Sequence, residues 1–393
     1  MTDIKFLVGK KLILDQILEP FDNLVCDFLD QFSKDLNKFN DLKNFTDLKA
    51  LSFWCRKKNI LRMKKNLNFE KNRLGVGFIF HITPSNVPTN FIYSLIFGLI
   101  SGNSNLVKVP TKNFEQIQII CKILNRILKK GKFKTISNMI SIIRYSKEEN
   151  YTKEISSKCN ARLIWGGDKT INDIRQYPLS PRAFDVTFSD RYSICFLNSS
   201  EINQASEFEL NNLARNFYND TYLVDQNACS SPHIIFWQGK NILNAKDRFW
   251  KHILSEVENK FDLTDSASVD KYSNLCKSIL SLDNILDVKN FKNYIHTIDI
   301  KNINQNLYEL RGKWGLFYQY NLEDINILKK IINSKFQTLT YYGFKKEYFL
   351  NFITNNKVLG IDRIVPVGRA LDMDINWDGY NICNLLTRTI GLK

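Results

Sequence analysis

The chain has 393 residues, 44% of them hydrophobic, so it is too long for one ordinary core and predicts two or three globular domains. The net charge of +15 would permit nucleic-acid binding, but lysine, asparagine and isoleucine are abundant throughout, so the basic stretch from Arg56 to Arg73 is interpreted as a solvated helix face. There is no secretory signal pattern, no apolar run of the ~18 residues that a membrane helix needs, and no zinc-like or disulfide-like spacing of cysteine or histidine. These features predict a cytoplasmic protein with reduced thiols, no metal, no membrane span and no nucleic-acid partner.

The first half of the chain alternates between helical and strand patterns. Amphipathic helices are predicted over 21–36 and 46–55. Beyond Gly75 the predicted elements are strand 76–80, helix 87–99, strand 105–109, helix 114–128, strand 139–145, helix 153–158, strand 161–165 and helix 169–176. This alternation indicates a doubly wound parallel sheet, whose ligands bind at the carboxyl ends of the strands.

The usual dinucleotide fingerprint is absent, because no Gly-x-Gly-x-x-Gly follows the first strand of this sheet. The turn at Gly166 and Gly167, between a strand and a helix, is the best candidate for a close approach of backbone to phosphate. An ordinary strand-to-helix turn explains the same pair of glycines equally well.

A polar connection over 176–190 leads into a second α/β unit. Its predicted elements are strand 192–197, helix 203–218, strand 233–237, helices 245–260 and 266–281, and strands near 293–298, 315–319, 336–341 and 360–367. The segment 372–393 is predicted to end in an amphipathic helix that returns to the first domain or meets a partner subunit.

Cys229 stands among small polar residues just before a predicted strand. The other seven cysteines are expected to be small buried residues, and base rates alone assign Cys229 the same role. Its neighbours Gln226, Asn227, Ser230 and Ser231 are poor core residues but suit a loop whose N–H groups point into a cleft, where a thiolate could attack a carbonyl. We therefore predict that Cys229 is a nucleophile.

Two other polar residues bear on this site. Asn86 follows the first strand and offers a side-chain amide that would share an oxyanion with the backbone of Cys229, or else it caps the helix starting around Pro88. His233 invites a Cys-His pair, but a strand over 232–236 need not turn it toward Cys229, so a structural role is preferred.

Several stretches together resemble the aldehyde dehydrogenase superfamily, and within it the long-chain acyl-CoA reductases of the LuxC type. They span Gly75 to Gly379, and the run from Asp362 to Asp372 with Trp377-Asp378-Gly379 looks specifically like the reductase branch. The other matching stretches are Pro84-Ser85-Asn86-Val87-Pro88, Gly102-Asn103 to Lys108-Val109-Pro110, Gly166-Gly167-Asp168, and Gln226-Asn227-Ala228-Cys229-Ser230.

The resemblance implies an aldehyde-dehydrogenase-like α/β fold with three parts. These are a parallel, doubly wound cofactor-binding domain with N-terminal helices (1–191), an α/β catalytic domain holding Cys229 (192–371) and an oligomerisation element, while 372–393 is the C-terminal segment that returns to the first domain or to a partner subunit. It further implies a homo-oligomer, an acyl-CoA substrate and, as in luminescent relatives, a possible acyl-protein synthetase partner. Cys229 would be the nucleophile and Asn86 the oxyanion donor. The resemblance implies that Lys108, Gly166 and Gly167 line the cofactor site. The full set of predicted cofactor-binding residues is Thr83, Pro84, Lys108, Thr111, Lys112, Gly166, Gly167 and Asp168.

Two departures from the superfamily pattern set the expected reaction. Oxidising members carry a glutamate that activates water, whereas the corresponding place here reads Phe188-Ser189-Asp190-Arg191-Tyr192. The absence of this glutamate favours reduction, because a water molecule activated by it would hydrolyse the thioester before hydride arrives. Asp190 could still act as a shorter base. NAD-preferring members often place a carboxylate three residues after the strand lysine, where this chain has Thr111. Because nothing there repels a 2′-phosphate, NADPH is expected in preference to NADH.

The predicted activity is reduction of a fatty acyl-CoA, or another activated acyl group, to an aldehyde through a Cys229 thioester. One alternative is an aldehyde-oxidising dehydrogenase with Asp190 as base. The other, from a different class, is a catalytically inactive basic scaffold or nucleic-acid-binding protein that keeps the fold.

Overall fold

The computed structural model describes residues 4–67, 72–146 and 150–392, and they form two compact units. Unit 1 comprises residues up to Ser189 together with the segment from Met373 onward, and unit 2 runs from Asp190 to Asp372. The chain thus leaves unit 1 once and returns to it. The cofactor-binding and catalytic roles of the two halves stay predictions.

The helices and strands of unit 1 before Ser189 alternate along the chain. They are β1 (Lys5–Val8), α1 (Asn23–Asn37), α2 (Thr46–Trp54), α3 (Lys57–Asn66), β2 (Arg73–Gly75), β3 (Phe78–Ile82), α4 (Asn90–Ile100), β4 (Ser104–Lys108), α5 (Glu115–Leu128), α6 (Lys134–Ser137), β5 (Ile140–Arg144), α7 (Tyr151–Ser156), β6 (Ala161–Trp165), α8 (Asp168–Arg175) and β7 (Phe184–Phe188).

Unit 2 and the returning segment supply the remaining elements. They are β8 (Tyr192–Asn198), α9 (Ser199–Gln204), α10 (Glu207–Asp220), β9 (Pro232–Gln238), α11 (Ile242–Lys260), α12 (Asp265–Ser281), β10 (Ile285–Phe291), β11 (Ile295–Ile300), β12 (Leu316–Asn321), β13 (Phe336–Tyr342), α13 (Lys346–Asn356), β14 (Arg363–Pro366), β15 (Asn376–Trp377), β16 (Tyr380–Asn381), α14 (Ile382–Leu385) and β17 (Thr387–Thr389).

The sheet of unit 1 has the strand order β1-β5-β4-β3-β6-β7 and is parallel except for β1, which runs antiparallel to β5. Every residue of β3 is buried, with Ile79 packed on one face of the sheet and Phe78, Phe80 and Ile82 on the other. Such burial on both faces is typical of a parallel sheet covered by helices. The strand order reverses direction at β3 and β6, which marks the place where ligands of this fold class bind.

The sheet of unit 2 has the order β10-β11-β12-β9-β8-β13-β14 and is parallel except for β10. Its two faces are covered by separate clusters, one around Phe196 and Phe236 and the other around Trp237 and Trp250. The α/β class with parallel sheets, which the sequence predicted, is therefore confirmed.

Four local predictions need correction. The polar connection over 176–190 contains β7, and β1 was missed altogether. The helix expected over 203–218 is two helices, because Ser206 forms a capping box with Glu209 and starts α10 anew. The amphipathic helix expected near residue 393 is instead the four-residue α14 followed by β17, which pairs with β2 in unit 1.

The basic stretch from Arg56 to Arg73 begins with helix α3, whose Ile60 and Met63 are buried while its lysines face outward. Lys71 lies outside the described residues. Among the helices of the described ranges, none is both long enough and apolar enough to cross a membrane.

Candidate active site

Cys229 lies at the amino edge of the unit 2 sheet, in the loop that precedes β9. The N–H of Ser231 donates to the carbonyl of Ala228 at 3.0 Å, so Cys229 and Ser230 are the central residues of a tight turn. Cys229 is half-buried. The turn therefore holds the thiol near the surface, although β9 itself is buried.

The backbone entering this turn is left-handed at two successive residues. Asp225 and Gln226 have φ of 54° and 57°, a conformation that costs on the order of 1–2 kcal/mol for a residue with a Cβ. The buried Gln226 side chain stabilises it. Its Nε2 donates to the carbonyls of Pro232 and Leu316 at 3.3 and 3.2 Å, and its Oε1 accepts from the N–H of Gly315 at 3.0 Å.

Ser193 fixes the Cys229 peptide from the other side. Its buried hydroxyl donates to the carbonyl of Cys229 at 2.7 Å and accepts from the N–H of Thr338 at 3.2 Å. Thr338 lies where the pairing of β13 with β8 shifts register, so Ser193 replaces a missing ladder bond. The orientation of the Cys229 peptide is thus set by two strands of the sheet.

His233 is buried and takes part in the packing of unit 2. Its ring stacks on Tyr192 with centroids 5.3 Å apart, and its Nδ1 lies 3.2 Å from the carbonyl oxygen of Gly312. Burial, with the nearby charge of Arg311, lowers the pKa of His233 to about 3. The ring is therefore neutral at physiological pH.

Asp190, the candidate base, is paired with Arg311. Its Oδ1 accepts from the guanidinium at 3.0 Å, and the same guanidinium donates to the carbonyl of Arg191 at 3.1 Å. A role as base would require this pair to open. The assignment of Asp190 as a base stays a prediction.

The stretch from Asp362 to Asp372, which resembles the reductase branch, is held by hydrogen bonds to Asp220 and to Arg363. The buried carboxylate of Asp220 accepts from the N–H groups of Gly368 and Ala370 at 2.6 and 2.8 Å. Arg363 donates to the carbonyls of Ala370 and Asp372, both at 2.9 Å. Burial raises the pKa of Asp220 to about 7. No pattern in the sequence indicates that Asp220 anchors this loop.

The other predicted site residues lie at the carboxyl edge of the unit 1 sheet, where the strand order reverses. Three short stretches at the ends of neighbouring strands supply them. They are Thr83, Pro84 and Asn86 after β3, Lys108, Thr111 and Lys112 at and after β4, and Gly166, Gly167 and Asp168 after β6. Asn86 and Cys229 thus belong to different units, and their sharing of an oxyanion stays a prediction.

Asn86 is exposed in the loop between β3 and α4. Helix α4 begins at Asn90 with Thr89 at the N-cap position, so the alternative in which Asn86 caps this helix is wrong. The neighbouring Thr83 hydroxyl donates to the carbonyl of Lys108 at 2.9 Å and ties the ends of β3 and β4 together.

The lysines at this edge rest on aromatic rings. The amine of Lys108 lies 5.1 Å from the ring centre of Tyr145, and that of Lys112 lies 5.0 Å from the ring centre of Phe114. Such cation–π contacts are worth only about 0.5–1 kcal/mol at exposed sites, so losing this contact would cost the exposed Lys112 little if its amine turned toward an anion.

Gly167 is exposed at the start of α8, in the turn that follows β6. Its φ of −66° suits any residue, and a Cβ built on it would meet no atom of the described chain within 4 Å. Neither conformation nor packing therefore demands glycine at the start of α8. A nucleotide phosphate approaching the N–H groups of this helix end would use the space.

Arg144, at the end of β5, is a charged residue near this edge that the sequence reasoning did not single out. Its Nη1 donates to Oδ1 of Asn113 at 3.4 Å, while its Nε and Nη2 are buried without a hydrogen-bond partner among the described residues. In the sequence it looks like an ordinary polar residue closing a strand, and only the structure reveals its unpaired donors.

The eight cysteines all lie within the described ranges, and none is in a disulfide. Cys276 is half-buried like Cys229, so the expectation that all seven others are buried is wrong for this one. Over residues 4–67, 72–146 and 150–392, no group of three or more His, Cys, Asp or Glu side chains could hold a metal ion.

Comparison with known proteins places these features in a family. The sequence model of the acyl-CoA reductase (LuxC) family matches residues 14–274, which is more than half of the chain. No curated protein matches the chain.

Solved structures of aldehyde dehydrogenases have the same fold. Lactaldehyde dehydrogenase from Escherichia coli has a TM-score of 0.64 at 10% identity, covering 93% of this chain and 85% of its own. Aldehyde dehydrogenase 21 from Physcomitrella patens has a TM-score of 0.62 at 10% identity, with the same two coverages. NAD-dependent benzaldehyde dehydrogenase from Corynebacterium glutamicum has a TM-score of 0.61 at 10% identity, covering 98% of this chain and 97% of its own. At such low identity these likenesses show the fold alone.

Proposed function

Because the chain belongs to the acyl-CoA reductase (LuxC) family, we propose that it reduces a fatty acyl-CoA, or another activated acyl group, to an aldehyde with NADPH through a thioester on Cys229. Family membership makes the protein an oxidoreductase. The single observation that supports the covalent route is the turn around Cys229, which keeps a half-buried thiol at a sheet edge and fixes its peptide through Ser193.

In the first step the Cys229 thiolate attacks the acyl carbonyl. The new bond joins Sγ to the carbonyl carbon, and the bond from that carbon to the coenzyme A sulfur breaks, so that the coenzyme leaves as a thiolate and takes up a proton. The backbone N–H of Cys229 and the side-chain amide of Asn86 would stabilise the oxyanion between these two events.

In the second step the acyl-enzyme is reduced. The nicotinamide cofactor supplies the hydride when it is bound. The same two donors then hold the thiohemiacetal oxyanion, which collapses to release the aldehyde and return Cys229 as a thiolate. Gly166, Gly167 and Lys108 would bind the cofactor at the carboxyl edge of the unit 1 sheet.

Two features favour reduction over hydrolysis of the thioester. No glutamate stands between Phe188 and Tyr192, where oxidising members carry their base. Asp190 in that stretch is paired with Arg311. Water near the thioester thus has no unengaged carboxylate from this stretch to activate it.

The test is to mix the protein with labelled long-chain acyl-CoA in the absence of NADPH and to locate the label by peptide mass. We expect one acyl group on Cys229 in the parent and none in Cys229→Ala. Cys276→Ala is the matched control, because Cys276 is the other half-buried thiol, and it should acylate as the parent does. Acylation of Cys229→Ala at the parent level would show that the nucleophile has been misassigned.

The same experiment, together with a separate titration of NADPH binding, separates the two other functions. Steady release of free fatty acid instead of a stable acyl-enzyme would favour the oxidising, hydrolytic alternative. Absence of both acylation and nucleotide binding would favour a scaffold without chemistry. The homo-oligomer and the acyl-protein synthetase partner stay predictions.

A further inference from the structure

The most basic stretch of unit 1 takes no part in the function proposed above. Residues 43–67 contain eight Lys or Arg and a single acidic residue, Asp47, whereas the whole chain has 55 basic and 40 acidic residues. Asp47 is half-buried, and its carboxylate accepts from the N–H of Leu48 at 2.9 Å and from Nε2 of Gln116 at 3.3 Å. The composition of the whole chain therefore does not account for this local excess of positive charge.

Helix α3 turns three of these charges outward. Lys58, Arg62 and Lys65 have the i, i+4, i+7 spacing of one helix face, and all three are exposed. The opposite side of α3 is buried through Ile60 and Met63. None of the three basic residues forms an ion pair with a residue that the structure describes. We call five exposed residues of α2, α3 and the turn between them the basic face: Lys49, Arg56, Lys58, Arg62 and Lys65.

The acidic residues of α1 that contact α3 are already matched by lysines. Asp27 accepts from Nζ of Lys57 at 2.6 Å and from Nζ of Lys132 at 3.0 Å. Asp30 accepts from the N–H of Lys57 at 3.1 Å and pairs with Lys34 at 2.7 Å. These two carboxylates therefore do not neutralise the basic face.

Two apolar side chains are exposed on the same pair of helices. Phe53, near the end of α2, is 55% exposed, and Leu61 of α3 is 40% exposed. The guanidinium of Arg56 lies 4.6 Å from the ring centre of Phe53, so positive charge and apolar surface are interleaved. This combination is typical of helices that lie at a membrane surface, where apolar side chains enter the boundary of the acyl region while basic groups stay among the headgroups.

We propose that the basic face docks unit 1 on an anionic lipid bilayer, with Phe53 and Leu61 as apolar anchors. Clusters of ~4–8 Lys or Arg on an amphipathic helix bind anionic membrane surfaces. Nucleic acid is also a polyanion, but its phosphate backbone offers nothing to an exposed leucine, so the apolar residues favour the membrane. The inference goes beyond the proposed function and does not require it, because docking involves no acyl transfer.

The test is co-sedimentation of the full chain with vesicles of phosphatidylcholine alone, or with about 30 mol% of the anionic lipid phosphatidylglycerol added. We expect binding to the mixed vesicles and little binding to the neutral ones. About 0.5 M salt should release most of the bound protein, because it screens surface charges beyond ~4 Å. Equal binding to the two kinds of vesicle, or binding to neither, would overturn the inference.

A triple variant combining Lys58→Gln, Arg62→Gln and Lys65→Gln tests the basic face itself. Its affinity for the mixed vesicles should fall by ~100-fold, because each basic residue beside an anionic surface raises the affinity ~5-fold. The matched control replaces three exposed lysines of unit 2 by glutamine, namely Lys329, Lys330 and Lys345. It loses the same net charge and should bind within ~2-fold of the parent, because charges away from the contact are screened. Equal losses in the two variants would overturn the inference, since net charge alone would then govern binding.

The double variant Phe53→Ala with Leu61→Ala separates a membrane from other anionic partners. It should weaken binding to the mixed vesicles by ~10-fold, because apolar area is no longer buried in the bilayer. Binding to a DNA duplex, the probe for nucleic acid, should be unchanged by it. If the double variant binds the mixed vesicles as tightly as the parent does, these side chains do not enter a bilayer and the inference is overturned. Tight duplex binding by the parent that the triple variant abolishes would then assign the basic face to nucleic acid.

All of these variants should keep the parent melting temperature and the parent level of Cys229 acylation, because the substituted side chains are exposed and belong to no part of the proposed catalytic site. Loss of vesicle binding with both properties intact is the expected result. It would place the defect in docking and not in folding or chemistry.

Discussion

Replacing Ser193 by alanine tests how the Cys229 turn is held. The Ser193 hydroxyl makes two hydrogen bonds, to the carbonyl of Cys229 at 2.7 Å and from the N–H of Thr338 at 3.2 Å, and the side chain is fully buried. Each bond contributes about 0.5–1.5 kcal/mol net, and a partner left buried and unpaired costs more, so the loss should be about 2–4 kcal/mol.

The matched control removes a hydroxyl that makes no hydrogen bond. Thr297, on β11 of the same unit, is fully buried, and its Oγ1 has no partner within the described part of the chain. Thr297→Val should therefore leave the free energy of unfolding unchanged or raise it, because it removes a buried hydroxyl that has no partner. Both variants lose a buried oxygen, but only Ser193→Ala breaks hydrogen bonds.

The free energy of unfolding is measured by urea denaturation followed by tryptophan fluorescence, and the local effect by hydrogen exchange of the peptide that contains residues 225–231. We expect faster exchange there in Ser193→Ala only, together with slower acylation of Cys229. If Ser193→Ala costs no more than Thr297→Val and the exchange is unchanged, the two bonds do not hold the turn.

Three further predictions concern the edges of the two sheets. Gly167→Ala should leave the melting temperature unchanged, because a Cβ there meets no chain atom within 4 Å. It should weaken NADPH binding in a calorimetric titration, because the Cβ would occupy the space of the phosphate. A fall in melting temperature without a binding defect would contradict this prediction. Burial raises the pKa of Asp220 from 3.8 to about 7, so the folded state binds this proton more tightly than the unfolded state does. The protonated carboxyl therefore contributes a stabilisation that is fully present below pH 3.8 and is lost as the pH rises to about 7. The free energy of unfolding of the parent should therefore fall relative to Asp220→Asn over that range, and parallel curves would refute the assignment. Asp190→Asn should leave the yield of aldehyde from acyl-CoA and NADPH unchanged, whereas loss of an acid-forming activity in this variant alone would identify Asp190 as a base.

Much of the fold could be predicted because its central strands are buried on both faces. The run from Phe78 to Phe80 and that from Ala161 to Trp165 contain several adjacent apolar residues, which is the pattern of a covered parallel strand. The edge strands were harder. β1 is four residues long and partly exposed, and β7 has three half-buried residues among its five, so neither gives a periodic apolar signal.

One missed boundary did carry a signal in the sequence. Ser206 followed three residues later by Glu209 is a capping-box pattern, and it marks the start of α10 inside the span that was predicted as one helix. Helical periodicity alone does not reveal such a break, because the apolar residues continue across it.

The candidate site was only partly accessible to sequence reasoning. Cys229 and Gly167 stand in stretches whose composition is unusual for a core, so each could be proposed from neighbouring residues. Ser193 and Asp220 contact residues that are distant in the sequence, for example Asp220 with Gly368, and these contacts exist only after the chain has folded. No local pattern distinguishes them from other polar residues at element ends.

The return of the chain to unit 1 has a consequence for its synthesis. Ile375, Trp377, Ile382, Cys383 and Leu386 belong to the core of unit 1, and β17 pairs with β2, so this core is incomplete until residues 373–389 have been translated. Residues 190–372 are made in between, which takes on the order of 10–40 s at ~5–20 residues per second. During that interval the ribosome carries a unit 1 whose apolar surface is partly uncovered, while unit 2 is already continuous in sequence. Unit 2 can therefore fold first, although its first residue is made after those of the whole unit 1 sheet.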